Sequence, residues 1–151
     1  MRYKAIRIAL LVIEACIGLS AIFGGIAILI GAFHQWLLVA WLQGTPFSDY
    51  TIPGLVLAII VGGGMLLAAA TVFIHREWAV LVSMAAGLCM VGFEVVEVAS
   101  VNSKAGNVLP LMAELQVFYF VLGLAIFALA TSLWMTEYRS HSFLIRHASH
   151  P

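Results

Sequence analysis

Long apolar runs separated by short polar links set the elements of this chain. The runs cover residues 6–32, 53–74, 78–101 and 111–135. A hydrocarbon layer about 30 Å thick takes roughly 20 residues of helix, so each run is long enough to cross it. None alternates with the period of two that a barrel strand carries. The pattern therefore predicts an all-α fold: an antiparallel bundle of four transmembrane helices within residues 1–138, followed by a tail over 139–151. The first run far exceeds the roughly 7–15 apolar residues of a signal peptide, so it is expected to remain as an anchor.

The links add detail. Residues 34–43 (His34-Gln35-Trp36-Leu37-Leu38-Val39-Ala40-Trp41-Leu42-Gln43) are too few to span, and their tryptophans suit a short helix in the headgroup layer. Asp49, Thr51 and Pro53 read as the start of the second span: an oxygen that can accept free N–H groups, then a residue that lacks one. The link over 100–110 is polar and ends at Pro110. Arg2, Lys4, Arg7, Arg76, Arg139 and Arg146 fall on one side of the spans and only Lys104 on the other. By the distribution of basic residues both termini are expected in the cytoplasm, with the chain a multi-pass protein of the cell (plasma) membrane. Trp36, Trp41 and Tyr50 would then mark the outer interface, and Tyr3, Trp78, Trp134 and Tyr138 the inner one.

Composition supports this class. Hydrophobic residues make up 64% and charged residues 9%, against about 25% charged in a water-soluble domain. A soluble globule, a disordered chain and a disulfide scaffold are excluded. Seven basic residues balance seven acidic ones, which leaves no nucleic-acid partner to expect. The lipid bilayer is the first partner.

Lipid supplies no hydrophobic drive between helices, so small residues must let backbones approach. Each run has them: Gly18, Gly24 and Gly25; Gly62-Gly63-Gly64; Gly87 and Gly92; Gly123. They predict a tight bundle waist. The triple glycine could instead be a hinge or an unwound stretch beside a ligand.

Ionisable residues inside spans carry the functional information. Glu14 lies ten positions past Lys4, roughly 15 Å deep at 1.5 Å per residue. With no intramembrane Lys or Arg to pair with, it must be protonated or face water, and Ser83, Thr131 and Ser132 are candidate hydroxyl partners. Glu94 and Glu97 share one face of the third run by their i, i+3 spacing. Glu114 lies one turn inside the fourth run, Asp49 precedes the second, and His34 follows the first. Folding brings these to similar depth with Gln116 and without a neighbouring base. Like charges so close cannot all ionise. Either each carboxylate is separately solvated or hydrogen-bonded near the interface, or the cluster of Glu94, Glu97, Glu114, Asp49 and His34 holds a proton or a cation, with Glu14 as a relay inward. The spacing matches no known ligand set.

Other chemistry is struck out. Cys16 and Cys89 form no C-x-x-C pair and are expected to be buried packing residues. His34 and His75 belong to opposite interfaces, so they cannot be axial haem ligands. No zinc-protease, nucleophile-elbow or phosphate-loop motif occurs. His141, His147 and His150, with Arg139 and Arg146, suit a pH-sensitive, lipid-facing tail.

The stretch Gly44-Thr45-Pro46-Phe47-Ser48-Asp49-Tyr50-Thr51-Ile52-Pro53-Gly54 leads into the glycine-bearing second run. Together with Leu11-Val12-Ile13-Glu14, Glu97 and the segment 116–123, it resembles uncharacterised small four-helix bacterial integral membrane proteins. The general layout is also similar to DoxX-like membrane proteins. The resemblance implies a topology and no reaction. The expectation is a non-enzymatic protein, either an accessory subunit of a larger membrane-protein partner or a self-associating homo-oligomer. The alternative is a proton- or cation-handling protein, and the third is a membrane enzyme acting on a lipid or quinone. No cofactor is expected beyond a bound cation.

Overall fold

The computed structural model describes residues 2–33, 37, 42–43, 45–74, 78–102 and 110–148, with side chains from residue 4 through 100 within these ranges and over 113–136. Helix α1 covers Arg2–Leu29. The second span is continuous through α2 (Thr51–Leu55), a π-helical stretch π1 (Val56–Gly62) and α3 (Gly63–Phe73). The third joins α4 (Ala79–Glu97) to a second π-helical stretch, π2 (Val98–Asn102). Helix α5 covers Pro110–Ala148. There is no strand among the described residues. Four helical segments are long and apolar enough to cross a membrane: Lys4–Leu29, Thr51–Phe73, Ala79–Ser100 and Ala113–Thr136. The fold is a helical bundle whose length and composition suit a membrane.

Local chemistry sets the helix ends. Gly31 adopts a left-handed conformation (φ 73°), open to glycine without a Cβ clash. The Ala32 N–H then reaches back to the Ala27 carbonyl at 2.9 Å and the Gly31 N–H to Ile28 at 3.0 Å. That pair of bonds satisfies carbonyls which α1 would otherwise leave open. Asp49 Oδ1 accepts the Thr51 N–H at 2.9 Å, so the carboxylate expected at the start of the second span is the one that serves it. The apolar part of the fourth helix ends at Thr136, and the helix itself continues to Ala148, through most of the tail. The interfacial helix expected over 34–43 lies mostly outside the described residues.

Backbone proximity orders the bundle. A Cβ on Gly25 would stand 2.6 Å from the Gly54 carbonyl oxygen and 2.6 Å from Ala58 Cβ, and one on Gly62 would stand 3.0 Å from the Gly18 oxygen. These contacts set α1 antiparallel to the second span. A Cβ on Gly87 would meet the Gly123 oxygen at 2.8 Å, which does the same for α4 and α5. Packing of α3 on α4 and of α1 on α5 completes the bundle. The waist is therefore narrower in sequence than expected. Added carbons on Gly63, Gly64 and Gly92 would touch nothing within 4 Å, and one on Gly24 would make only a loose contact with Leu57. The triple glycine is not unwound: Gly62 and Gly63 hold helical angles (φ −65°, ψ −49° and φ −63°, ψ −41°).

The core is a column of Leu10, Ile17, Val61, Met65, Met90, Ile126 and Leu133. Cys16 and Cys89 are free and exposed, on the outward faces of α1 and α4. This corrects the expectation that they pack inside: α1 turns Ile17, Gly18 and Ala21 inward, and α4 turns Ala86, Gly87 and Met90 inward.

Candidate ligand-binding site

Two polar centres interrupt the apolar column. The first is Glu14 on α1 with Ser83 on α4, both 0% exposed. Ser83 is the polar neighbour of the carboxyl, yet neither carboxyl oxygen nor the Ser83 hydroxyl completes a hydrogen bond of ordinary geometry. The other hydroxyls expected as partners are engaged elsewhere. Thr131 donates to the Phe127 carbonyl at 2.7 Å, and Ser132, on the exposed side, donates to Ala128 at 2.8 Å.

The second centre lies at the end of the bundle where α1 finishes and the second span begins. Ser83, Met90, Glu94 and Glu97 recur along one face of α4 at helical spacing. Glu94 is 6% exposed and its Oε2 has no hydrogen-bond partner. Glu97 stands beside it, close enough for the two carboxyls to interact through space. The Gln116 side chain of α5, itself buried at 8% exposure, lies beside the Glu97 carboxyl. Tyr50, just ahead of α2, approaches from a third direction. Burial pushes its phenol above the ordinary range, and the Glu97 carboxylate pushes the same way.

Glu97, Gln116 and Tyr50 form the polar part of a cavity of about 160 Å³. Ile28, Leu57 and Phe93 supply apolar walls, and Leu37, Leu42 and Phe47 of the first link join them. Ile52 and Val96, both more than half exposed, place its mouth on the flank between the second and third spans. Both π-helical stretches border it, through Val56 and Leu57 of π1 and Ser100 of π2. Such stretches occur mostly as short bulges inside α-helices and are frequent at functional sites.

The structure brings together only part of the expected cluster. Glu94 and Glu97 meet as their spacing predicts, and Gln116 joins them. Glu114 is exposed. Asp49 is exposed too; its carboxyl is held below the usual carboxylate range by the Thr51 amide and lines a neighbouring cavity with Gly31, Phe33 and Thr51. His34 lies outside the described residues. Among the described residues, no group of three or more His, Cys, Asp and Glu side chains is arranged to hold a metal ion. Between the two centres, Met90 and Ile126 (2% and 0% exposed) fill the level separating Ser83 from Glu94, so among the described residues no polar row joins Glu14 to the acid pair.

Sequence reasoning does not show the cavity. Its walls come from all four spans and the first link, and no local pattern marks Phe47, Leu42 or Phe93 as neighbours. No protein-family model, curated protein or solved structure matches the chain.

Proposed function

We propose that this protein binds a small, membrane-soluble amphiphile in the cavity bordered by Glu97, Gln116 and Tyr50. The observation that carries this reading is the cavity itself: apolar walls, one group of converging polar side chains and a mouth toward the lipid-facing flank. Small-molecule sites have this form, mostly apolar with a few polar groups that fix orientation. A cavity of about 150 Å³ holds a benzene-sized ring, so the bound part is a single ring or a short alkyl segment bearing one polar end. A lipid headgroup fragment and a quinone ring share that chemistry.

The basic residues orient the site. Arg2, Lys4, Arg7, Arg76, Arg139 and Arg146 would hold both chain ends in the cytoplasm of a plasma-membrane protein. The cavity would then open in the outer leaflet.

Photolabelling tests the reading. The full chain is placed in lipid nanodiscs with a diazirine-bearing benzyl alcohol, irradiated and mapped by mass spectrometry. The expected labels fall on lining residues such as Val56, Val96 and Gln116, and Val56→Phe, which fills the cavity, removes them. Labels scattered over outward side chains such as Phe23 and Ile59, unchanged by Val56→Phe, would overturn it. A lipid and a quinone separate in an organic extract of the purified protein.

A further inference from the structure

Resting on that reading for its ligand, we propose that the bundle consists of two glycine-closed hairpins, α1 with the second span and the third span with α5, which part at the cavity end to let the ligand in and out. The close approaches all fall inside a hairpin. Gly25 meets Gly54 and Gly18 meets Gly62 in the first, and Gly87 meets Gly123 in the second. Wherever a Cβ on a glycine described within the spans would touch anything, the nearest atoms belong to its own hairpin. Packing of α3 on α4 and of α1 on α5 joins the hairpins along a seam without such an approach. In lipid there is no hydrophobic drive between helices and close backbone packing holds them together, so the seam is the interface that yields first.

Polar groups weaken the same seam. Glu14 of the first hairpin faces Ser83 of the second, both 0% exposed and neither with a completed hydrogen bond. Glu94, on the α4 face that carries Ser83 and Glu97, leaves its Oε2 unsatisfied. A buried polar group without a partner costs free energy that is recovered when the surfaces separate and water reaches it. The cavity lies on the seam too. Ile28, Tyr50 and Leu57 of the first hairpin line it with Phe93, Glu97 and Gln116 of the second, and its mouth lies between Ile52 and Val96.

Topology selects the end that opens. The chain passes from one hairpin to the other once, between Ile74 and Trp78, and both other links stay within a hairpin. The hairpins are thus tied covalently at the end away from the cavity, and at the cavity end packing alone holds them. Rotation of two rigid bodies about a joined end is a hinge closure around a ligand. It widens the cavity mouth and brings Glu94 toward water, while the glycine contacts inside each hairpin stay closed.

Distances between paired spin labels test this on the full chain in lipid nanodiscs, with Cys16→Ser and Cys89→Ser as the background. Four pairs of exposed positions outside the cavity lining are compared, each changed to cysteine and labelled. Leu55 with Val98 reports across the seam at the cavity end, and Phe73 with Leu81 across it at the joined end. Leu29 with Leu55, and Val98 with Val117, report within the hairpins. The first pair is expected to show two distance populations, their ratio changed by benzyl alcohol, and the other three one narrow population each. Glu94→Leu is expected to reduce the longer population about tenfold. The distances without that substitution stand if it does not fold. One narrow distance for Leu55 with Val98, an equal spread at all four pairs, or a longer population that Glu94→Leu leaves untouched would overturn the inference, wherever the photolabel falls. Two populations that benzyl alcohol does not shift, with no photolabel in the cavity, would keep the hinged hairpins and remove the ligand reading.

Discussion

The Glu97 carboxyl near the end of α4 lies beside the Gln116 side chain near the start of α5, and both line one cavity. This polar contact joins the third and fourth spans where no glycine contact does so, two to three turns from the Gly87–Gly123 approach. Interhelical hydrogen bonds between such side chains contribute about 0.6 kcal/mol on average and up to about 1.7. Gln116→Leu keeps the volume and removes the donor. It should lower stability within that range in reversible unfolding from mixed micelles, whereas Gln116→Glu would also place a third carboxyl on the pair and should lower it further.

Glycines that look equivalent along the chain should respond oppositely. Gly25→Ala sets a methyl group 2.6 Å from the Gly54 backbone oxygen, which cannot swing aside as a flexible side chain can. Forced overpacking of this type costs about 1–3 kcal/mol. Gly64→Ala meets nothing within 4 Å and gains up to about 1 kcal/mol of helix propensity. Unfolding midpoints of the two variants should therefore move in opposite directions.

Glu14 and Ser83 present a different case, two fully buried polar groups without a completed hydrogen bond. Leaving a buried polar group unsatisfied costs about 1–3 kcal/mol. Glu14→Met combined with Ser83→Ala should consequently raise the unfolding free energy by an amount of that order. A drop in stability would show that the pair holds a third group in the native protein.

The two titratable groups at the start of the second span predict opposite limbs of a pH profile. Asp49 has a depressed value in the folded chain, so its contribution is present above about pH 4 and is lost as pH falls below that. Protection of the Thr51 amide in hydrogen exchange should decline on that acid limb, and Asp49→Ala should abolish the dependence. Tyr50 is raised, so its contribution is full below about pH 10 and is lost as pH climbs through its folded value. An ultraviolet difference titration of wild type against Tyr50→Phe should show late ionisation, and Glu97→Gln should bring it earlier.

Four helices were readable from residue order because spanning is a local property. Length multiplied by rise either reaches across the hydrocarbon or does not, and the runs near 6–32, 53–74, 78–101 and 111–135 match the observed segments to within a few residues. The Glu94–Glu97 pairing was readable for the same reason, since three residues on one helix share a face whatever surrounds them. Helix rotation and helix partners are not local. They decide that Cys16 and Cys89 point outward, that Gly62 touches α1 while Gly63 and Gly64 touch nothing, and that Gln116 reaches Glu97 while Glu114 stays exposed. In a chain this uniformly apolar, hydrophobicity barely distinguishes one face of a helix from another. Close packing at the few glycine contacts selects the faces, and only after that selection does a cavity exist for Glu97 to border.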